Sequence, residues 1–338
     1  MTKDVTRRVF GASLLAGTGT LAVQRLRTSG FLHDRRKPVS RLAILHAKSY
    51  AAPLETILTG GLRLFHLDLR GKAVLLKPNL VEHIPAVEVN TNPLLVGAAA
   101  EAFLELGAKE VIVAEGPGHE RDTYLVLWET ALENQLRLRR LRFVDLNRDE
   151  IVRVPLKTRF TGLDSLWLPR TVLNAHFIVS MPKVKTHHWA GVTLSLKNMF
   201  GIMPGAAYGW PKNVLHWKGI DRSILDINAA VPLDFVIADG IIAMEGNGPL
   251  HGSARNLGHI VLSDDPVSAD FTCARLMGLN PWRVSYLAQS AEFLGNGATE
   301  RIQQLGESLP RSVPPFAVLP GFANLRAGAS VIGNRGCI

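Results

Sequence analysis

A chain of 338 residues, 47% hydrophobic, is long enough for one large domain or two modest ones, and its 38 basic against 29 acidic side chains raise nucleic acid or an anionic membrane as partners. The charge is uneven: nine Lys or Arg and only two acids lie within residues 1–41, leaving 29 basic and 27 acidic residues beyond. A nearly neutral domain lacks the concentrated basic face that phosphate backbones need, so no nucleic acid is expected as partner. Two cysteines, Cys273 and Cys337, are too few for an all-cysteine iron–sulfur or zinc cage.

Residues 1–38 read as a twin-arginine export leader, with Arg7 and Arg8 before Phe10 and then a weakly apolar stretch of Gly, Ala, Leu and Thr. The apolar run 9–23 is shorter than the roughly 20 residues that span a bilayer, so no stable transmembrane span is expected. The implied partner is the twin-arginine export machinery, and the implied location is periplasmic or otherwise extracytoplasmic. No Ala-x-Ala precedes Arg35-Arg36-Lys37, which leaves cleavage open.

From 39 to 338 the chain reads as an α/β domain with a mostly parallel sheet, crossover helices and two lobes flanking a cleft. Short β-rich runs alternate with segments of helical period. The predicted strands are 42–46, 73–78, 110–115, 143–146, 177–181, 235–238 and 259–262. The predicted helices are 54–65, 93–106, 123–136, 223–230, 266–277 and 284–294. In the second of these, Leu94, Leu95, Ala98, Ala102 and Leu106 make one apolar face and Gly107 ends it. The alternation of Val152, Val154 and Leu156 with Arg153 and Pro155 predicts either a hairpin or the crossing between lobes, near 148–170. Residues 203–219, rich in Gly, Pro and Trp, read as an ordered loop of the kind that often forms lids or binding surfaces. Cys273 lies on an apolar helical face and reads as core, while an oxidising compartment would permit a disulfide to Cys337.

Ligands of open parallel sheets gather beyond the carboxyl ends of the strands, and four such junctions are unusually polar. They are Lys77-Pro78-Asn79, Glu115 to His119, Lys183 to His188 followed by Ser195 to Asn198, and Asp239-Gly240 leading to Glu245-Gly246-Asn247-Gly248-Pro249. Lysines there can hold an anion, and neutral imidazoles can move protons or bind metal. His187, Lys197 and His216 are the catalytic candidates. Lys77, Asn79, Lys183, Lys185, Asn198 and Asn247 are the substrate-binding candidates. His187, His216, Asp239 and Glu245 are the residues that could ligate a metal. No Walker loop, Gly-x-Ser-x-Gly elbow or His-Glu-x-x-His helix is present in the sequence.

Taken in order, VLLKPNLV (74–81), TNP (91–93), LGAKEVIVAEGPG (106–118), VSMPKVKTH (179–187), LSLKNMFGIMPG (194–205), DGIIAMEGNGP (239–249) and DDPVSAD (264–270) resemble the bacterial and archaeal family catalogued as domain of unknown function 362. That resemblance implies no settled reaction. Many of its members carry a ferredoxin-like cysteine cluster, whereas this chain, with two distant cysteines, departs from that pattern and no iron–sulfur cluster is expected. A fainter similarity is to nickel-pincer lactate racemases. It implies a lysine carrying the cofactor at Lys197, ten residues after His187, and a nickel ligand at His216; here Val192 to Leu196 replaces that family's glycine-rich stretch. Cofactor identity stays open, with a metal as one alternative. The expected partner is a small anionic ligand, met either by an enzyme using Lys and His as acids and bases or by a non-catalytic binding or accessory protein.

Overall fold

The computed structural model describes residues 34–118, 121–310 and 313–326. The twin-arginine leader, apart from its last residues, and also His119 and Cys337, lie outside them. Arg35 lies within the expected leader, yet its guanidinium donates to the carbonyls of Asn228 and Ala229 (3.0 and 2.6 Å) at a helix C-terminus.

In chain order the elements begin with β1 (Ser40–His46), α1 (Leu54–Arg63), β2 (Ala73–Pro78), α2 (Pro93–Glu105), β3 (Glu110–Glu115), α3 (Thr123–Glu129), α4 (Leu132–Leu138) and β4 (Arg142–Asp145). There follow β5 (Ile151–Pro155), β6 (Ser165–Pro169), α5 (Arg170–Asn174), β7 (Phe177–Met181), β8 (Lys183–His187), β9 (Gly191–Thr193) and α6 (Ser195–Asn198). The last are α7 (Gly205–Tyr208), α8 (Asn213–Trp217), α9 (Ile220–Ala230), β10 (Phe235–Asn247), β11 (His251–Ser263), α10 (Pro266–Leu276), α11 (Ser285–Ser290) and β12 (Ile302–Gly306).

One sheet runs β12-β1-β11-β10-β7-β2-β3-β4, with β8 pairing β10 and β9 pairing β8. Pairing is parallel from β10 through β4, while β11 is antiparallel to both β1 and β10. The two-residue period of a strand divides the core. Leu42, Ile44, Leu75, Ile178, Val236 and Val261 face a cluster with α9, α10 and α11, whereas Ala43, Val74, Leu76, Val179, Ile237 and Ile260 face α1 to α4. Strands covered on both faces read as continuous apolar runs, which is why β2, β3 and β7 were legible.

α2 starts where its signals place it. Asn92 accepts from Leu94 N (2.9 Å), Pro93 occupies the first turn, and Gly107 takes a positive φ of 97° beyond the C-terminus. Its buried face is not quite the expected one, because Leu94 is 45% exposed and Val96 and Phe103 turn inward. The helix expected over 123–136 is two, broken where Ala131 adopts φ 59°.

Of the two readings of residues 148–170, the structure has the hairpin, β5–β6, an antiparallel pair outside the main sheet. Two further expectations are corrected. Residues 203–219, expected as an ordered loop, carry two short helices, α7 and α8. The strands expected over 235–238 and 259–262 are the inner ends of 13-residue strands that pair as one long hairpin, with a register shift between Gly240 and Ile242. Among the described residues no helix is long and apolar enough to cross a membrane.

Candidate functional site

The chain runs from β2 outward through β3 to β4, then returns to β7 on the opposite side of β2 and proceeds to β10 and β11. The sheet order therefore reverses between β2 and β7, and in open α/β sheets such a switch point opens a crevice beyond the carboxyl ends. A cavity of about 200 Å³ lies there, lined among others by Lys77, Glu115, Lys185, His187, Lys197 and Lys212.

Its floor is a buried polar network. Lys77, from β2, pairs with Glu115 at the end of β3, and both side chains are 1% exposed. Lys77 Nζ also donates to Asn198 Oδ1 (2.9 Å), and Asn79 Nδ2 donates to the same oxygen (3.2 Å). Asn198 Nδ2 donates in turn to Lys77 O (3.0 Å) and Ser180 Oγ (3.1 Å), tying α6 to β2 and β7. Gly116 N donates to Glu115 Oε1 (2.8 Å). Gly201 leaves room for this pair, since a Cβ there would overlap Glu115 Oε1 and Lys77 Nζ and displace them. Burial pushes the Glu115 carboxyl up and the Lys77 ammonium down, against their mutual attraction.

The walls carry lysines without a carboxylate of their own. Lys185 Nζ donates to Val89 O (2.7 Å), and burial, then Lys197, Lys183 and Lys77, hold it well below the ordinary lysine range. Lys212 sits at φ 68°, donates to Asn147 Oδ1 and lies 5.1 Å over the Trp210 ring. Burial brings it down to about 7. Lys197 Nζ lies 5.1 Å over the Phe200 ring, makes no hydrogen bond among the described residues, and is lowered to about 8 by burial and Lys77.

Hydrogen-bond partners assign the imidazole tautomers. His187 Nδ1 accepts from Trp189 N (3.0 Å) and Ala190 N (3.2 Å), so its neutral ring carries the proton on Nε2. His188 Nδ1 lies 2.9 Å from Gly248 O and His216 Nδ1 lies 3.2 Å from Lys212 O. Both rings must donate there, which leaves Nε2 as an acceptor. His187 is held well below the usual histidine range by burial, then by Lys197 and His188; His216 is lowered by burial and Lys197. Trp189 stands edge-on to His188 and His216 (4.6 and 5.4 Å between centroids), beside Phe200, Pro211, Pro249 and Leu250 on the lining. Two buried oxygens of lining residues, Asn79 Oδ1 and Thr193 Oγ1, have no hydrogen-bond partner among the described residues.

Of the residues singled out in the sequence, the cavity collects His187, Lys197, His216, Lys77, Asn79, Lys185 and Asn198. Lys183 is not among them. Residues 183–187 form a buried strand, β8, whose pairing with β10 shifts register between Lys183 (opposite Asp239) and Lys185 (opposite Met244), and Lys183 at its start lies in a separate cluster. There its Nζ meets Asp239 (2.9 Å), Tyr50 Oη (2.8 Å), Ile242 O (3.0 Å) and Glu88 (3.3 Å). Asp239 is consumed by that pair, by Tyr50 (2.8 Å) and by Asn92 N (2.9 Å). Glu245 accepts from Ala317 N (3.0 Å) and faces Arg255 at 3.4 Å, while Asn247 is exposed on the β10–β11 hairpin opposite His251. His187, His216, Asp239 and Glu245 therefore do not converge as one ligand set. Lys212, Asn147 and Phe200 escaped sequence reasoning. Lys212 lies within the flagged 203–219 segment, but its left-handed backbone leaves no trace in residue type.

Among known proteins, the family described as domain of unknown function 362 matches residues 74–275. A thylakoid-associated protein of Synechocystis sp. is 30% identical over 288 residues, 81% of this chain and 86% of that protein. Solved structures with similarity include a Thermotoga maritima protein, at 14% identity and TM-score 0.36, over 61% of this chain and 54% of that one. They also include the lactate racemase apoprotein of Thermoanaerobacterium thermosaccharolyticum, at 13% identity and TM-score 0.37, over 66% and 54%. The chain thus spans about half the length of each of these two structures.

Proposed function

The chain belongs to the domain-of-unknown-function family 362, and from that premise and the chemistry of its cavity we propose that it is an enzyme acting on a small anionic substrate. The observation that carries the reading is the charge imbalance of the lining: four lysines, Lys77, Lys185, Lys197 and Lys212, against the single carboxylate of Glu115. Buried ammonium groups without counter-ions are costly, and their depressed affinity for protons measures that cost. A bound anion removes it. The aromatic and proline side chains beside them suit an apolar body attached to the anionic group.

Lys197, brought to about 8, supplies a base close to working pH, the Nε2 lone pair of His216, whose proton affinity burial and Lys197 lower, supplies a second acceptor, and the Nε2–H of His187 supplies a donor. The reading is therefore proton transfer on a substrate whose charge the lysines hold. Export as a folded protein through the twin-arginine pathway belongs to the same proposal and rests on Arg7 and Arg8.

The test is a panel of small carboxylates, sulfate and matched neutral compounds, followed by Trp fluorescence and native mass spectrometry. Anions are expected to bind, Lys197→Met and Lys212→Met to weaken them about tenfold or more, and His216→Gln to keep binding. An active compound should lose turnover in His216→Gln; retained turnover identifies a binding protein instead. Equal binding of neutral compounds, or anion binding indifferent to both lysines, would overturn the proposal.

A further inference from the structure

A second group of ligating side chains gathers on three neighbouring strands and shares no residue with the cavity. His46 ends β1, His259 lies directly opposite it in the antiparallel register of β11, and Glu307 follows β12, where its N–H donates to Ile44 O (2.9 Å). The two imidazole rings stand edge to face with centroids 5.8 Å apart. One ligating atom from each of the three residues lies within 4.8 Å of the others, and this is the sole group of three His, Cys, Asp or Glu so placed among the described residues.

The hydrogen bonds point the same way. His259 Nδ1 lies 2.5 Å from Leu257 O, and a carbonyl can only accept, so Nδ1 carries the proton and Nε2 presents a lone pair. A backbone carbonyl holding the far nitrogen is the usual support of a metal-bound histidine. Nε2 faces Glu307 Oε2 at 3.9 Å, too long for a hydrogen bond. Neither the His46 ring nor the Glu307 carboxylate has a hydrogen bond among the described residues, and no Lys or Arg there pairs with Glu307.

We propose that His46, His259 and Glu307 bind one divalent transition-metal ion of the zinc class. Two imidazoles and a carboxylate match borderline cations, whereas magnesium and calcium prefer oxygen alone. His46 and Glu307 are exposed and can swing inward the ångström or so that ligation at about 2.1 Å requires. A fourth position stays open to water. The ion clips the edge strand β12 and the segment after it onto β1 and β11.

Calorimetric titration of the whole protein with Zn²⁺, paired with the visible absorption of added Co²⁺, tests the site. One equivalent is expected to bind, with a Co²⁺ ligand-field band. His46→Gln and His259→Gln should each weaken it by more than the roughly 10–100-fold that loss of a supporting contact costs, with far-UV circular dichroism unchanged. His216→Gln, in the cavity, should bind as before. Absence of binding, binding that survives the His46→Gln/His259→Gln double substitution, or binding abolished by His216→Gln would each overturn the proposal. None of these outcomes bears on anion binding in the cavity, so the two proposals fail separately.

Discussion

Lys77 and Glu115 form a buried ion pair with a sharp energetic asymmetry. Removing one partner of a buried ion pair strands the other charge, which costs about 3–5 kcal/mol, whereas replacing both with apolar groups is often neutral. Lys77→Met is therefore expected to lower stability by about that amount in urea unfolding, and Lys77→Met/Glu115→Leu to recover most of it. The wall lysines set a pH dependence. Lys212 gives up its proton near 7 and Lys197 near 8, and an anion is attracted by the protonated form. Sulfate, which does not titrate in this range, should bind at full strength below pH 7 and weaken in two steps as pH rises through about 7 and 8. Lys212→Met should remove the lower step, and calorimetry between pH 6 and 9 checks it.

At the scale of elements, the loop that joins β5 to β6 is tied to α9 by one residue. Asp226 of α9, fully buried, accepts from Thr158 Oγ1 (2.7 Å), Phe160 N (3.2 Å), Thr161 N (2.9 Å) and Thr161 Oγ1 (2.6 Å). Asp226→Ala leaves those donors buried without an acceptor, and each such loss costs about 1–3 kcal/mol. A drop of at least about 2 kcal/mol in denaturant unfolding is expected, together with faster amide exchange confined at first to residues 158–163. The break between α3 and α4 is also local in origin, since Ala131 in the left-handed region redirects the chain where apolar periodicity continues across it.

For the whole molecule, the charge is unevenly distributed along the chain. The basic excess sits in the first 41 residues, while the cavity lysines act within a nearly neutral remainder. If the first segment is a twin-arginine address, Lys at both Arg7 and Arg8 should abolish accumulation outside the cytoplasm without altering the folded protein recovered inside. Cell fractionation measures it, and undiminished export would refute the leader.

The sequence by itself determined the central strands, the start of α2, and seven of the nine catalytic and substrate-binding candidates that line the cavity, because doubly buried strands read as apolar runs and their polar ends mark a sheet's carboxyl edge. Tertiary structure decided the rest. Lys183 and Lys185 stand two positions apart on β8, where strand period alone would not separate them, yet with a register shift of the β8–β10 pairing between them one meets Asp239 and the other the cavity, and neither lysine differs in residue type. Lys212 reaches the site through a left-handed turn, and His46, His259 and Glu307 meet only because β11 and β12 both pair with β1. Local pattern records which face of an element is buried, but long-range pairing selects which polar groups come to share a space.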